Sequence, residues 1–246
     1  MWTYLLIFLS ALALASVFIR RAYLISRKKE VTEKEELFDG SFDELKNQKV
    51  AKGDAVQASA LYSKGELLME AGKEDEAIKM FVQALALDAL HVETQNKLAM
   101  LYMKKQMFSS ASALFAQLAQ LTDDSVHYSH LGLSLYQQNE FEKSRDAYQK
   151  AVELDPSRPQ RYASLAQVYR SLGQLQNSVI ALNKAADLDQ ENIDYLLLLA
   201  ELFIELGDTE AAKNMILRVM EIDEANENAK MLMEELKALR ADLLKK

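Results

Sequence analysis

Cysteine is absent from the sequence of 246 residues, which also contains only two prolines and seven glycines. The lack of cysteine excludes disulfide bonds, cysteine-ligated zinc sites and cysteine nucleophiles. So few prolines and glycines leave little room for the closely spaced turns of a β-sandwich or barrel. Hydrophobic residues make up 50% of the chain, which suffices for a sizeable core. The composition therefore predicts an all-α fold.

Positive charge is scarce in most of the chain, because 29 lysines and arginines face 37 aspartates and glutamates. Residues 1–57 hold nine of the basic and eight of the acidic side chains, so the acidic excess lies in residues 58–246. An acidic surface repels a phosphate backbone. We therefore expect no nucleic-acid partner.

Charged side chains are missing altogether from residues 2–19, WTYLLIFLSALALASVFI. As a helix this segment would extend about 27 Å, close to the roughly 30 Å of a bilayer's hydrocarbon core. Five basic residues follow it closely, namely Arg20, Arg21, Arg27, Lys28 and Lys29. Because basic residues mark the cytoplasmic side of a span, we predict a single-pass anchor over residues 1–29. The amino terminus would lie outside and the rest of the chain in the cytoplasm, as in a bacterial inner-membrane protein.

A cleaved signal peptide is the alternative interpretation of this segment, because residues 13–15 (ALA) resemble a cleavage site. Signal peptides normally begin with basic residues, whereas here the basic cluster follows the apolar run. The order of charges therefore favours an uncleaved anchor.

Residues 30–57 are polar and mixed in charge, without a sustained apolar stripe, and are predicted to be a linker. Ser41 and Glu44 are spaced as in a capping box, which would start a short helix reaching about residue 52. A solvated turn or two of helix fits the same pattern equally well.

Residues 125–158 contain two amphipathic helical patterns joined by a turn, and this unit occurs five times in the chain. The copies cover residues 58–91, 92–124, 125–158, 159–192 and 193–226. Within each copy, positions 4, 11 and 24 are mostly large, while positions 8 and 20 are small. In the third copy these positions are Tyr128, Leu135, Tyr148, Gly132 and Ser144. Small residues at facing positions allow two helices to pack closely.

This pattern resembles the tetratricopeptide repeat, a pair of antiparallel helices, A and B, with a period of about 34 residues. The resemblance implies a right-handed superhelix, an α-solenoid of five helix-turn-helix repeats. Gly72, Gly173 and Gly207 fall at the turn between helices A and B, where positive φ ends a helix easily. Residues 227–246 form a single amphipathic pattern and are predicted to be a helix that caps the last repeat.

No sequence motif for catalysis or cofactor binding occurs in the chain. His127 and His130 are three residues apart and could share a metal ion, but no third ligand lies at a suitable spacing. We therefore predict no enzymatic activity, no cofactor and no metal site.

In the resembled family, ligands usually lie along the concave groove formed by the A helices, at positions 2, 5, 9, 12 and 13 of each repeat. The resemblance assigns a protein-binding groove to Tyr62, Glu66, Met69, Asn96, Met100, Met103, Ser129, Leu133, Tyr136, Gln137, Gln167, Arg170, Leu197, Glu201 and Ile204. These positions are apolar in the middle and acidic at both ends. They would suit a partner helix or extended peptide with apolar anchors and basic flanks. For Leu133 and Leu197, packing against the next repeat is an equal alternative.

The anchor and the repeats together predict a membrane-tethered scaffold that binds protein partners at the cytoplasmic face, a second copy of the chain being one possible partner. The alternative is an accessory protein of envelope assembly or secretion whose repeats lie on the outer side. The architecture is similar to that of the bacterial lipopolysaccharide assembly regulator. That family ends in a cysteine-liganded metal module, which this chain cannot form because it has no cysteine.

Overall fold

The computed structural model describes residues 55–243, and within this range the chain forms eleven helices and no strand. The chain divides into two compact units at Leu114 and Phe115, a boundary that falls inside the fourth helix. The helices are α1 (Ala55–Glu70), α2 (Glu74–Leu87), α3 (Val92–Lys104), α4 (Phe108–Thr122), α5 (Ser125–Gln137), α6 (Phe141–Leu154), α7 (Pro159–Ser171), α8 (Leu175–Leu188), α9 (Ile193–Glu205), α10 (Thr209–Ile222) and α11 (Glu227–Leu243).

The turns between helices A and B have the same backbone geometry in all five repeats. Position 15 of each repeat has positive φ, from 61° to 77°, and is occupied by Gly72, Gln106, Asn139, Gly173 and Gly207. The next amide donates to a carbonyl five residues back, as in the bond of 2.8 Å from Gln174 to Tyr169. This Schellman geometry pairs carbonyls that the end of helix A would otherwise leave free.

Aspartates end three of the B helices with a side-chain hydrogen bond to the backbone. Asp88, Asp155 and Asp223 each accept from the amide two residues ahead, at 3.1 Å. An aspartate that bonds the backbone in this way competes with helix continuation. The chain is thereby turned toward the next helix A at the same point of each of these repeats.

A small residue on helix A faces a large one on helix B in each unit. In the first unit Gly65 lies against the buried ring of Phe81, and a Cβ at Gly65 would come 2.5 Å from Phe81 Cε1. In the second unit a Cβ at Gly132 would come 2.7 Å from Tyr148 Cδ2. Glycine at position 8 therefore permits an aromatic ring at position 24 to touch the backbone of helix A.

Position 20 is serine in the third and fourth repeats, and both hydroxyls cross from helix B to helix A. Ser144 Oγ donates to the carbonyl of Gly132 at 2.7 Å, and Ser178 Oγ donates to the carbonyl of Ala166 at 2.7 Å. Both serines are buried, so each hydroxyl needs such a partner. The predicted role of position 20 as a small packing residue thus includes a directional bond.

The described part of the predicted cap, α11, packs on the final repeat. Ala229 and Leu236 are buried in the core of the second unit, together with Ile216 and Val219 of α10. Acidic and basic side chains on the opposite face form short-range ion pairs such as Lys237–Glu234, at 2.7 Å. This combination of one apolar stripe and one charged face is what a terminal helix of a repeat array requires.

One predicted boundary, the end of the linker, differs from the structure, and the predicted anchor lies outside the described residues. Helix α1 begins at Ala55, so residues 55–57 belong to this helix and not to the predicted linker, and Ala58 is fully buried. The predicted anchor, residues 1–29, and the linker up to residue 54 are outside the described range. Among residues 55–243, no helix is both long and apolar enough to cross a bilayer.

Replacing Gly132 by alanine tests the contact between positions 8 and 24. We expect G132A to lower the free energy of unfolding by about 1–2 kcal/mol, because the buried ring of Tyr148 has no room to withdraw. The higher helix propensity of alanine, worth up to about 1 kcal/mol, offsets part of the clash. Urea unfolding followed by circular dichroism measures the change.

The double variant G132A/Y148L is the matched control, because the fourth repeat has this alanine–leucine pair naturally, as Ala166 and Leu182. The loss in the double variant should be smaller than the sum of the two single losses. Additive losses would show that the two side chains do not compete for the same space.

Candidate protein-binding groove

In the first unit, the predicted groove residues of α1 and α3 are joined by a polar network. Glu66 forms an ion pair with Lys97, at 3.1 Å, and a hydrogen bond with the hydroxyl of Tyr62. Hydrogen bonds from Lys97 and Tyr62 lower the pKa of Glu66, while burial and the carboxylates of Glu66 and Glu93 raise the pKa of Tyr62 to about 12. Glu66 is therefore partly neutralised by Lys97, a residue that the sequence mapping did not include.

The remaining groove residues of the first unit differ in exposure. Met100 is 45% exposed, whereas Met69, Asn96 and Met103 are half-buried. The ring of Tyr62 lies 5.8 Å from that of Phe81 and packs into the repeat. Met100 is thus the apolar groove residue of this unit with the largest exposed fraction.

In the second unit, Ser129 takes part in a structural network. Its hydroxyl donates to the carbonyl of Ser125 at 2.7 Å and accepts from Arg161 Nε at 3.0 Å. Arg161 is buried, and its Nη1 also donates to the Asp155 carboxylate at 2.6 Å. Hydrogen bonds from Ser157 and Arg161 lower the pKa of the Asp155 carboxyl to about 2. Ser129 therefore holds the third repeat to the fourth, and both of its bonds are already used.

Tyr136 also contributes to packing between repeats. Its ring lies 5.4 Å from that of Phe141, and its hydroxyl is 3.2 Å from Ser171 Oγ. Leu133, 37% exposed, and the side chains of Gln137 and Gln167 are open to solvent on the same helices, α5 and α7. The accessible part of this surface is thus formed by Leu133 and the two glutamines, with Tyr136 at its edge.

Arg170 on α7 pairs with two carboxylates on α9. Its guanidinium is 3.1 Å from Glu201 Oε2 and also contacts Glu205 Oε1. Hydrogen bonds with Glu205 and Glu201 raise the pKa of Arg170. The acidic end of the predicted groove therefore contains an arginine whose charge is more than balanced.

Two predicted groove residues on α9 lie deeper than the mapping implied. Leu197 is only 8% exposed and belongs to the core of the second unit, so packing, the alternative left open above, is its role in this structure. Ile204 is half-buried and packs against the same core. Burial in the core leaves little of either side chain for a ligand to contact.

A cavity of about 230 Å³ opens between α7, α8 and α9 in the second unit. Its walls include Ala163, Leu182, Leu198 and Leu202, and the groove residues Gln167 and Arg170 lie at its edge. Sequence mapping identified Gln167 and Arg170 but gave no signal for a cavity, because a void depends on what neighbouring side chains fail to fill.

The two histidines of α5 have packing roles. His127 is buried and its Nδ1 is 2.8 Å from the hydroxyl of Thr122, while the ring of His130 stacks on Phe115 with a centroid distance of 5.0 Å. Within residues 55–243, no group of three or more histidines, aspartates or glutamates is placed to hold a metal ion. The geometry of this helix thus supports a core role for both rings.

Comparison with protein-family models places repeats along most of the described chain. A model described as Tetratricopeptide repeat matches residues 68–132 and 179–236, which together make up half of the sequence. The chain belongs to the tetratricopeptide-repeat family. Further models match residues 132–170, as TPR repeat, and residues 159–192, as Tetratricopeptide repeat.

Among characterised sequences, the chain is similar to the TPR repeat-containing protein YvcD of Bacillus subtilis (strain 168). The two are 33% identical over 63 residues, which cover 26% of this chain and 13% of that protein. The matched segment of this chain thus spans only a small part of the length of that relative.

Several solved tetratricopeptide structures share the fold. MamA has a TM-score of 0.62 at 24% identity, over 65% of this chain and 94% of that chain. MamA from Desulfovibrio magneticus RS-1 has a TM-score of 0.63 at 20% identity, over 72% and 99% of the two chains. YrrB, a TPR protein with an unusual peptide-binding site, has a TM-score of 0.62 at 16% identity, over 71% and 90%. At these identities the likeness concerns the fold.

His130 should make stability depend on pH above the range in which carboxylates titrate. Burial, followed by the nearby His127, lowers the pKa of His130 in the folded chain. The unfolded chain then takes up a proton more readily, so the free energy of unfolding should fall as the pH drops below about 6.5.

Urea unfolding at pH 7.5 and pH 5.5 checks this expectation. H130Q removes the titrating ring and should reduce the loss of stability between the two pH values, even if it is less stable at both. An equal loss in the variant and in the natural chain would assign the pH dependence to other groups.

Proposed function

We propose that the chain is a membrane-tethered scaffold that binds protein partners through the groove side of its A helices. The observation that carries this proposal is the exposure of Met100, at 45%, and of Leu133, at 37%, at groove positions where the repeat packing does not bury them. Both residues stand at positions where the ligands of tetratricopeptide repeats usually bind, so a partner that covered them would remove their apolar surface from water. The peptide-binding site of YrrB, which has the same fold, is consistent with this interpretation.

The tether is inferred from residues 2–19 and the basic cluster that follows them. An anchor confines the repeats near the bilayer and raises their effective concentration toward membrane-associated partners. The cytoplasmic location follows from the same charge distribution, and the outer side is the alternative. The architectural likeness to the lipopolysaccharide assembly regulator stays a prediction.

The scaffold acts by binding alone in this proposal, without catalysis or a cofactor. Groove carboxylates such as Glu201 and Glu205 outnumber the one arginine between them. Together with the exposed apolar residues, they favour partners with apolar anchors and basic flanks. A helix or an extended peptide would satisfy this description.

Polar substitution of the exposed groove residues should abolish partner capture without unfolding the chain. M100S tests the first unit and L133S the second, and each should leave the melting temperature unchanged because neither side chain is in the core. Capture is measured by crosslinking in membranes, purification in mild detergent and quantitative mass spectrometry.

I180S is the matched control, because Ile180 is 68% exposed on α8 and is not a groove residue. It should retain every partner. Capture that is unchanged in both groove variants, or lost equally in I180S, would contradict a binding site on the A helices.

A reporter fused after Lys246 tests the predicted topology. Alkaline phosphatase folds to an active form only outside the cytoplasm, so a phosphatase fused at this position should be inactive. A fluorescent reporter that is active in the cytoplasm should be active at the same position. Deletion of residues 1–29 should move the protein from the membrane to the soluble fraction. An active phosphatase would overturn the cytoplasmic location and support the alternative of an outward-facing accessory protein.

A further inference from the structure

The cavity in the second unit lies at the place where the three preceding repeats have an aromatic ring. Position 24 is Phe81, Phe115 and Tyr148 in the first three repeats but Leu182 in the fourth. Tyr148 lies against Gly132, and its hydroxyl bonds the side chain of Ser164. Position for position, Ala166 and Leu198 replace these two neighbours in the next repeat, and both line the cavity.

The size of the cavity fits an incoming apolar group. An apolar cavity of about 150 Å³ is known to bind benzene in a protein core, and this one has about 230 Å³. Leu202 in its wall is 2% exposed, while Leu198 at its edge is 38% exposed, so the space opens from the core toward solvent. A leucine, methionine or phenylalanine side chain could therefore enter from the groove side.

The buried polar side chain of the cavity wall is already hydrogen-bonded. Ser178, the buried polar residue of its wall, donates its hydroxyl hydrogen to the carbonyl of Ala166 at 2.7 Å. A polar ligand group would gain little from such a wall, whereas an apolar one would gain from leaving water. The chemistry of the wall thus selects an apolar side chain.

The edge of the cavity adds an electrostatic preference. The guanidinium of Arg170 lies between the carboxylates of Glu201 and Glu205, so this group of three side chains carries one net negative charge. All three are partly exposed, at 35–41% for their side chains. An anionic ligand would meet two carboxylates beside an arginine that is already paired. A lysine or arginine would meet the excess charge favourably.

We propose that this cavity is a pocket for a large apolar side chain of a linear partner segment, with a lysine or arginine of the same segment resting on Glu201 and Glu205. The segment is a peptide in which the two residues stand within about three positions of each other, a span of roughly 10 Å when extended. This inference rests on the proposed binding function and specifies the chemistry of one partner class.

Panning of a random dodecapeptide library on the full-length protein in detergent tests the pocket. Enriched peptides should carry a large apolar residue within three positions of a lysine or arginine. Affinity of the best peptide is then measured by fluorescence polarisation against three variants. L182F introduces the ring of the three preceding repeats and fills the cavity. E201Q/E205Q removes the carboxylates, and I180F is the matched control.

L182F should weaken binding by at least about tenfold, equivalent to about 1.4 kcal/mol. The variant should still fold, because the second repeat has alanine and phenylalanine at the same two positions, as Ala99 and Phe115. I180F adds the same ring to an exposed position of α8 and should leave binding unchanged. E201Q/E205Q alters only partly exposed side chains, leaves the charge of Arg170 unbalanced and should remove the preference for basic residues. The effect of this double variant on peptide affinity is an independent test of the proposal if L182F folds poorly.

The pocket is overturned if no peptide is enriched, if the enriched peptides lack a basic residue, or if L182F binds within about twofold of the natural chain. These failures are distinguishable from failure of the broader proposal. If M100S and L133S lose their partners while L182F keeps them, the groove binds partners as proposed but the cavity is not a pocket for them. If the natural chain captures no partner at all, the scaffold function itself is wrong.

Discussion

Each repeat depends on the close approach of helix A to helix B, which is possible only where the side chain at position 8 is small. In the first and third repeats that residue is glycine, and a buried aromatic ring touches the helix backbone directly. The contact sets the spacing of the two helices and hence the surface that helix A presents on its other side. In the fourth repeat these two positions are Ala166 and Leu182, and both line the cavity that we interpret as a pocket. Packing and recognition are therefore linked through a single position of the repeat.

Charge pairing between successive repeats is the second determinant of the groove. Glu66 pairs with Lys97 in the first unit, and Arg170 pairs with two glutamates in the second. A formal count of acidic residues along the A helices therefore overstates the free negative charge. What a partner meets is the excess that remains after these pairs have formed, and this excess is localised at α9. Local pairing, rather than the net charge of −8, decides which ligands the groove attracts.

Much of the fold could be predicted from the sequence, because the tetratricopeptide pattern repeats its physical requirements every 34 residues or so. The predicted repeat starts at Val92, Ser125, Pro159 and Ile193 coincide with the first residues of the A helices. Glycine predicted three of the five turns. Asn139 is of a residue type that tolerates positive φ, whereas Gln106 has positive φ without a residue type that favours it. The site was less predictable. The position of a residue within the repeat cannot show that Ser129 is held by Arg161, or that Leu197 is buried in the core of the second unit, since both depend on tertiary contacts.

The serine hydroxyls at position 20 have a consequence for the register of the helices. In the first, second and fifth repeats this position is Ala77, Ala111 and Ala212, and shape alone sets how helix B sits on helix A. In the third and fourth repeats, Ser144 and Ser178 must each meet one particular carbonyl. A slip of helix B by one residue would leave a buried hydroxyl without its acceptor, a cost of about 1–3 kcal/mol. In the third and fourth repeats, the alignment of helix B on helix A is therefore fixed by a directional hydrogen bond as well as by the shape of the packed side chains. The fourth of these repeats contains α7 and α8, which line the cavity.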